Sequence, residues 1–120
     1  MTGESPSESI QFQLAVPPEL AAELTALPGV VAEITGDAPA RVQHELALET
    51  IALVVAIAVN AQDLAPTCKK LADTIHGFFS RSKQRDPRVK VVGEREELVI
   101  EVRVEGADAT ADNIRVVVTR

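Results

Sequence analysis

Apolar and polar positions alternate at the start of the chain and then change period. Ile10, Phe12, Leu14 and Val16 alternate with Gln11, Gln13 and Ala15, which predicts a half-buried strand. Pro17-Pro18 stops the strand and opens a short helix, because proline suits a first helical turn. Leu20, Leu24 and Leu27 form its apolar stripe, and Pro28-Gly29 ends it. Residues 30–35 (VVAEIT) predict a second strand, closed by Gly36-Asp37. A right-handed crossover would make these two strands parallel, either adjacent or with one strand between them.

The pattern then becomes apolar on every side. Residues 50–61 (TIALVVAIAVNA) carry no charge, whereas a surface helix shows one apolar stripe. The spacing of Arg41, Glu45 and Glu49 predicts a long helix that starts wet near Ala40. It then runs through 50–61 as a segment buried all round, with a small-residue seam at Ala52 and Ala56. Asp63 is the expected N-cap of a second helix over 64–81, with Pro66 in its first turn. A single helix kinked at Pro66 is the alternative. Cys68, Leu71, Ala72, Ile75 and Phe78 or Phe79 make that helix plainly amphipathic. Residues 80–87 (SRSKQRDP) read as a basic exit loop. Residues 88–92 predict a strand, 93–96 a tight turn, and 98–104 its hairpin partner. Residues 106–113 read as a polar loop and 114–119 (IRVVVT) as a final edge strand.

The predicted order is β-α-β-α-α-β-β-β. It defines an α+β domain with a mixed four- or five-stranded sheet and helices on one face. At 120 residues the chain suits one domain, residues 10–120, after a flexible tail over 1–9. That tail lacks the basic start and apolar core of a secretion signal. One cysteine, Cys68, excludes an intrachain disulfide and fits a reducing, cytoplasmic setting, which is the expected location.

Composition narrows the chemistry. Three Phe, no Trp and no Tyr leave a core of Val, Leu, Ile and Ala, and argue against base-stacking platforms and aromatic cages. The net charge of −6 is unevenly spread. Residues 1–68 set nine acids against Arg41 alone, for −8. Residues 69–90 set seven bases against Asp73 and Asp86, for +5; residues 91–120 return to −3. Such segregation favours a charge-matched contact, within the fold or with a partner. Arg81, Lys83, Arg85 and Arg88 are the candidate partner-binding residues. The plainer reading has them solvate a helix C-terminus, where positive charge is favoured.

No catalytic, cofactor-binding or metal site is expected. Cys68 falls on the apolar stripe, and His76 lies eight residues on, about 12 Å along a helix. Asp73 and His76, three apart, read as a surface pair. Two separated histidines and one cysteine do not make a zinc site. Asp108 and Asp112 are too sparse for a cation loop. The glycines are scattered, without a phosphate-binding fingerprint. Basic residues 81–90 could track a nucleic-acid backbone, but the acidic total makes that a minor reading. The 16-residue stretch 46–61 contains Glu49 and is short of the roughly 20 apolar residues of a membrane span.

Residues 51–102 resemble the effector-associated constant component family of small bacterial proteins. Leu53-Val54-Val55-Ala56, Phe78-Phe79-Ser80-Arg81 and Arg88-Val89-Lys90-Val91 stand where that family shows its Leu-Val-Val-Ala helix, a helix end and a Val-rich strand. The break between the helices is not Gly-rich here, and Phe replaces the family's Trp. The resemblance implies a non-catalytic adaptor that couples effector proteins in bacterial conflict systems. The burial demand of 50–61 adds an expected homo-oligomer, with Leu53, Ala56 and Ile57 at its interface. The alternative function is association with a membrane surface, through an apolar 46–61 helix and the basic 81–90 loop.

Overall fold

The first strand forms as its alternation predicts. In a computed structural model that describes residues 8–48 and 50–120, β1 spans Ser9–Val16 and buries Phe12, Leu14 and Val16. Seven residues of the expected tail, 1–7, lie outside the described residues, and Ser9 already belongs to β1. Helix α1 (Pro18–Thr25) follows with Leu20, Ala21 and Leu24 buried. Strand β2 (Val31–Asp37) comes next. Helix α2 is short, Ala40–Leu46.

The expected long helix stops there. Ala47 adopts a left-handed conformation (φ 50°, ψ 40°) and turns the chain. Leu53–Asn60 is a strand, β3, which corrects the reading of 50–61 as a helix. The physical reason lies in its side chains. Val54, Val55, Ile57 and Val59 are β-branched, stiff at χ1, and pack well on a pleated surface. A short apolar run cannot be told from a buried helix by hydropathy alone. Its size pattern does alternate, with Val55 and Ile57 large and Ala56 and Ala58 small.

A 3-10 turn over Ala61–Asp63 leads into α3 (Leu64–Ser80), close to its predicted limits. Asp63 holds the N-cap position as expected, but its side chain makes no capping hydrogen bond. Strands β4 (Arg88–Val92) and β5 (Glu97–Glu101) form the expected hairpin, with β5 ending sooner than predicted. The chain closes with a helix, α4 (Ala107–Thr119), where a loop and an edge strand were expected. Thr110, Ile114, Val117 and Val118 are buried on it at helical spacing. That stripe against α3 overrides the strand preference of its Val-rich end.

The five strands lie in the order β2-β3-β1-β4-β5, and every paired neighbour is antiparallel, so the sheet is not mixed. β1 and β2 therefore run parallel with β3 between them. The first four strands with α1 and α3 have the order of the ferredoxin-like, or split β-α-β, arrangement. The fold is α+β.

The two sheet faces differ. Phe12, Leu14, Val55, Ile57, Val91 and Ile100 point towards α1, α3 and α4 and form the main core with their stripes. Gly93, in the β4–β5 turn, lets the main chain of α4 approach; a Cβ there would stand 2.8 Å from the Val117 carbonyl oxygen. A smaller cluster of Ala15, Ala38, Val42, Leu46 and Ala52 seats α2 on the opposite face, so the helices do not all lie on one side.

This two-sidedness gives a direct test. Val55 is 0% exposed, and Val55→Asp leaves an unpaired charge in the main core, a loss of several kcal/mol. Ala58 faces the other way and is half-buried, so Ala58→Asp costs only about 1 kcal/mol, the strand-preference range. Urea midpoints distinguish them; equal, severe losses at both sites would contradict the strand.

Candidate functional site

The face of the sheet away from the main core is divided into a covered and an uncovered half. Helix α2 covers the end where Ala15, Val54 and Val99 lie. Val42 and Leu46 supply its apolar contact. The Gln43 amide ties its start to the chain before β3. Its Nε2 donates to the carbonyls of Ala38 (3.0 Å) and Ala52 (2.9 Å), and its Oε1 accepts from the Ala52 N–H (2.7 Å).

A charged group under α2 completes the attachment. Lys90 projects from β4 and is 1% exposed. Its Nζ lies 2.6 Å from Glu45 Oε1 and 2.7 Å from Glu97 Oε1. Arg41 Nη1 reaches the same two carboxylate oxygens at 3.4 and 3.2 Å. Two cations and two anions thus close on each other at the edge of α2. Burial works against the Lys90 ammonium, but hydrogen bonds to Glu45 and Glu97 outweigh it and its pKa is raised. The Glu97 carboxyl is held below the usual range by the Lys90 hydrogen bond, then by that of Arg41.

The other half of this face is a groove of about 720 Å³. Ala56 and Ala58 form its floor beside Gln11 and Gln13, and its charged lining residues are Glu33 and Glu94. Strand β2 borders it with Val31 69% exposed. Small side chains at the floor let another main chain come close, and the acids at the rim favour a cationic visitor.

The predicted interface residues do not share one surface. Ile57 is buried in the main core, Leu53 packs against it, and Ala56 faces the groove. The predicted basic cluster is also divided. Arg81 pairs with Glu23 of α1 at 2.9 Å. Arg88 pairs with Asp86 at 3.3 Å and donates to the Glu45 carbonyl. Lys90, counted among the solvated bases, is enclosed. Lys83 and Arg85 are exposed and make no ion pair among the described residues. Arg103 was not singled out in the sequence. It holds the exit loop by donating to the carbonyls of Phe79, Ser82 and Gln84 at 2.7–3.2 Å.

The reactive side chains are occupied or enclosed. Cys68 is 1% exposed, and burial pushes its thiol up to about 11, with Arg115 pulling weakly the other way. His76 does not pair with Asp73 by hydrogen bond; its Nε2 lies 2.8 Å from the buried Thr110 hydroxyl and joins α3 to α4. Burial lowers its pKa, with Asp73 and Glu105 opposing. Asp108 and Asp112 stand on α4 rather than in a loop. Among the described residues no three of His, Cys, Asp and Glu gather to hold a metal ion. Among them, too, no helix is long and apolar enough to cross a membrane. The apolar anchor helix of the alternative reading does not form over 46–61 among the described residues: α2 ends at Leu46 and Leu53–Asn60 is β3.

These features define an α+β protein with a half-covered sheet face. No protein-family model, curated protein or solved structure matches the chain.

Two measurements probe this site. The depressed Glu97 carboxyl stabilises the fold above the ordinary glutamate pKa of about 4.3, and that stability is lost as pH falls through its lower folded value. The raised Lys90 stabilises below about 10.4 and loses its contribution as pH rises through its folded value. Urea midpoints of Glu97→Gln should therefore fall less steeply below pH 5 than those of the unaltered chain, and an unchanged acid limb would contradict the network. Separately, Cys68 should stay unlabelled by a thiol reagent at pH 8 until denaturant is added; rapid native labelling would contradict its enclosure.

Proposed function

We propose that this protein is a non-catalytic adaptor, working in the cytoplasm, whose uncovered sheet groove receives a basic segment of a partner protein. The observation that carries this reading is the groove itself. It combines an alanine floor at Ala56 and Ala58 with acidic rims at Glu33 and Glu94. Charge complementarity then selects lysine- or arginine-bearing partners over acidic ones. Enclosure of Cys68 and engagement of His76 by Thr110 support a binding role over a chemical one. Lys83 and Arg85, exposed beyond the far end of α3, offer a second contact for an acidic partner surface. The resemblance of residues 51–102 to the effector-associated constant component family supports the same role, coupling an effector in a bacterial conflict system. It rests on apolar positions, since the helix of that pattern is β3 here.

A photo-crosslinking residue placed at Ala58 in cells of the native host should yield one discrete heavier adduct. The double change Glu33→Lys and Glu94→Lys should abolish it while the fold persists. An adduct indifferent to both charges, or none at all, would overturn the groove as the contact.

A further inference from the structure

We infer that two copies of this chain join edge to edge through β2, in antiparallel register about a two-fold axis near Ala32. This deepens the interaction-module reading by naming one of its partners, a second copy.

Strand β2 pairs with β3 on one side only and ends the sheet. Its outer backbone groups therefore offer a template for another strand. Its side chains are unusually bare for an apolar strand. Val31 is 69% exposed and Ile34 43%, two of the five large apolar residues exposed among the described ones. They flank the edge on opposite faces, since Val31 pairs across Ala58 and Ile34 across Val55. A strand added at this edge covers both at once. Natural edges are commonly blunted by lysine, proline or a bulge. Residues 30–34 (VVAEI) contain neither lysine nor proline. The bulge comes only after Ile34, before Gly36. The opposite edge, β5, is shorter and bears Glu97 and Glu101.

A second copy fits because this segment complements itself. With the axis at Ala32, Val30 lies opposite the partner copy's Ile34 on the helix-bearing side. Val31 lies opposite the partner copy's Glu33 on the groove side. The register keeps the two Glu33 carboxylates from standing directly opposite, which would be destabilising. It also ends the pairing where the bulge interrupts the strand. An axis at Glu33 would set like charges face to face. The joined sheets form one isologous assembly with two grooves on its open face, and a closed dimer follows from the symmetry.

Light scattering on the full chain should give twice the 12.8 kDa monomer mass. Val31→Lys with Ile34→Lys should return it to the monomer, with an unchanged circular dichroism spectrum because both side chains are exposed. As a second measurement, Ala32→Cys should form an intermolecular disulfide under mild oxidation. Opposed Cα atoms across an antiparallel pair stand about 4.5–5.5 Å apart, within the disulfide range. The unaltered chain should not cross-link, because Cys68 is buried. A monomeric mass at millimolar concentration would overturn the dimer and leave the adduct at Ala58 as a separate question. A dimer that survives both lysines, with no disulfide formed by the Ala32→Cys variant, would also overturn it, by placing the contact elsewhere.

Discussion

The pairing of β3 with β1 is the constraint on which the rest of the molecule depends. It runs unbroken from Ser9 opposite Asn60 to Val16 opposite Leu53. Main-chain N–H and C=O groups in a protein interior must find partners, and this ladder satisfies two strands at the centre of the sheet. It also sets which side chains face which way. Phe12 and Leu14 join Ile57 and Val55 beneath the three larger helices, while Gln13 joins Ala56 on the other side. A slip of one residue would turn Leu53, Val55, Ile57 and Val59 out of the main core. Once this register is set, β2 has only the outer side of β3 available, and β4 the outer side of β1.

Much of the fold was legible in the sequence. The alternation of β1, the leucine stripe of α1, the amphipathic α3 and the charged β4–β5 turn all stand where their patterns put them. The parallel relation of β1 and β2 also followed from the short crossover, which left adjacent and one-strand-apart placements open; the structure puts β3 between them. Two elements were misread for opposite reasons. Residues 53–59 look all-apolar because one side of this central strand packs under helices and, on the other, α2 covers Val54 while only the small Ala56 and Ala58 face the groove. There the alternation survives as a difference of size, Val55 and Ile57 against Ala56 and Ala58. Residues 107–119 carry a β-branched run at their end, yet the stripe from Thr110 to Val118 packs on α3 as a helix.

The site was less legible, since distant residues build it. Glu45 and Lys90 are forty-five positions apart, and no local spacing joins them. The basic count of residues 69–90 treats Lys90 as one solvated charge among seven, whereas the sheet buries it under α2 between two carboxylates. Exposed ion pairs contribute little, but removing one partner of an enclosed charge is costly. The network therefore holds α2 at one end of the sheet face and leaves the other end open. That division produces the groove. Of the alanine seam expected at Ala52 and Ala56, only Ala56 lines the groove floor, beside Ala58; Ala52 precedes β3 and is buried against α2.

Core, groove and free edge all require β3 to be a strand in register with β1. Nuclear Overhauser contacts measured in solution between backbone protons of the two segments test this most directly. Cross-strand contacts should link Gln13 with Ala56 and Gln11 with Ala58, together with strand-type Cα shifts over 53–60. Sequential i to i+3 contacts through 53–60, the mark of a helix, with no contact to β1, would contradict it.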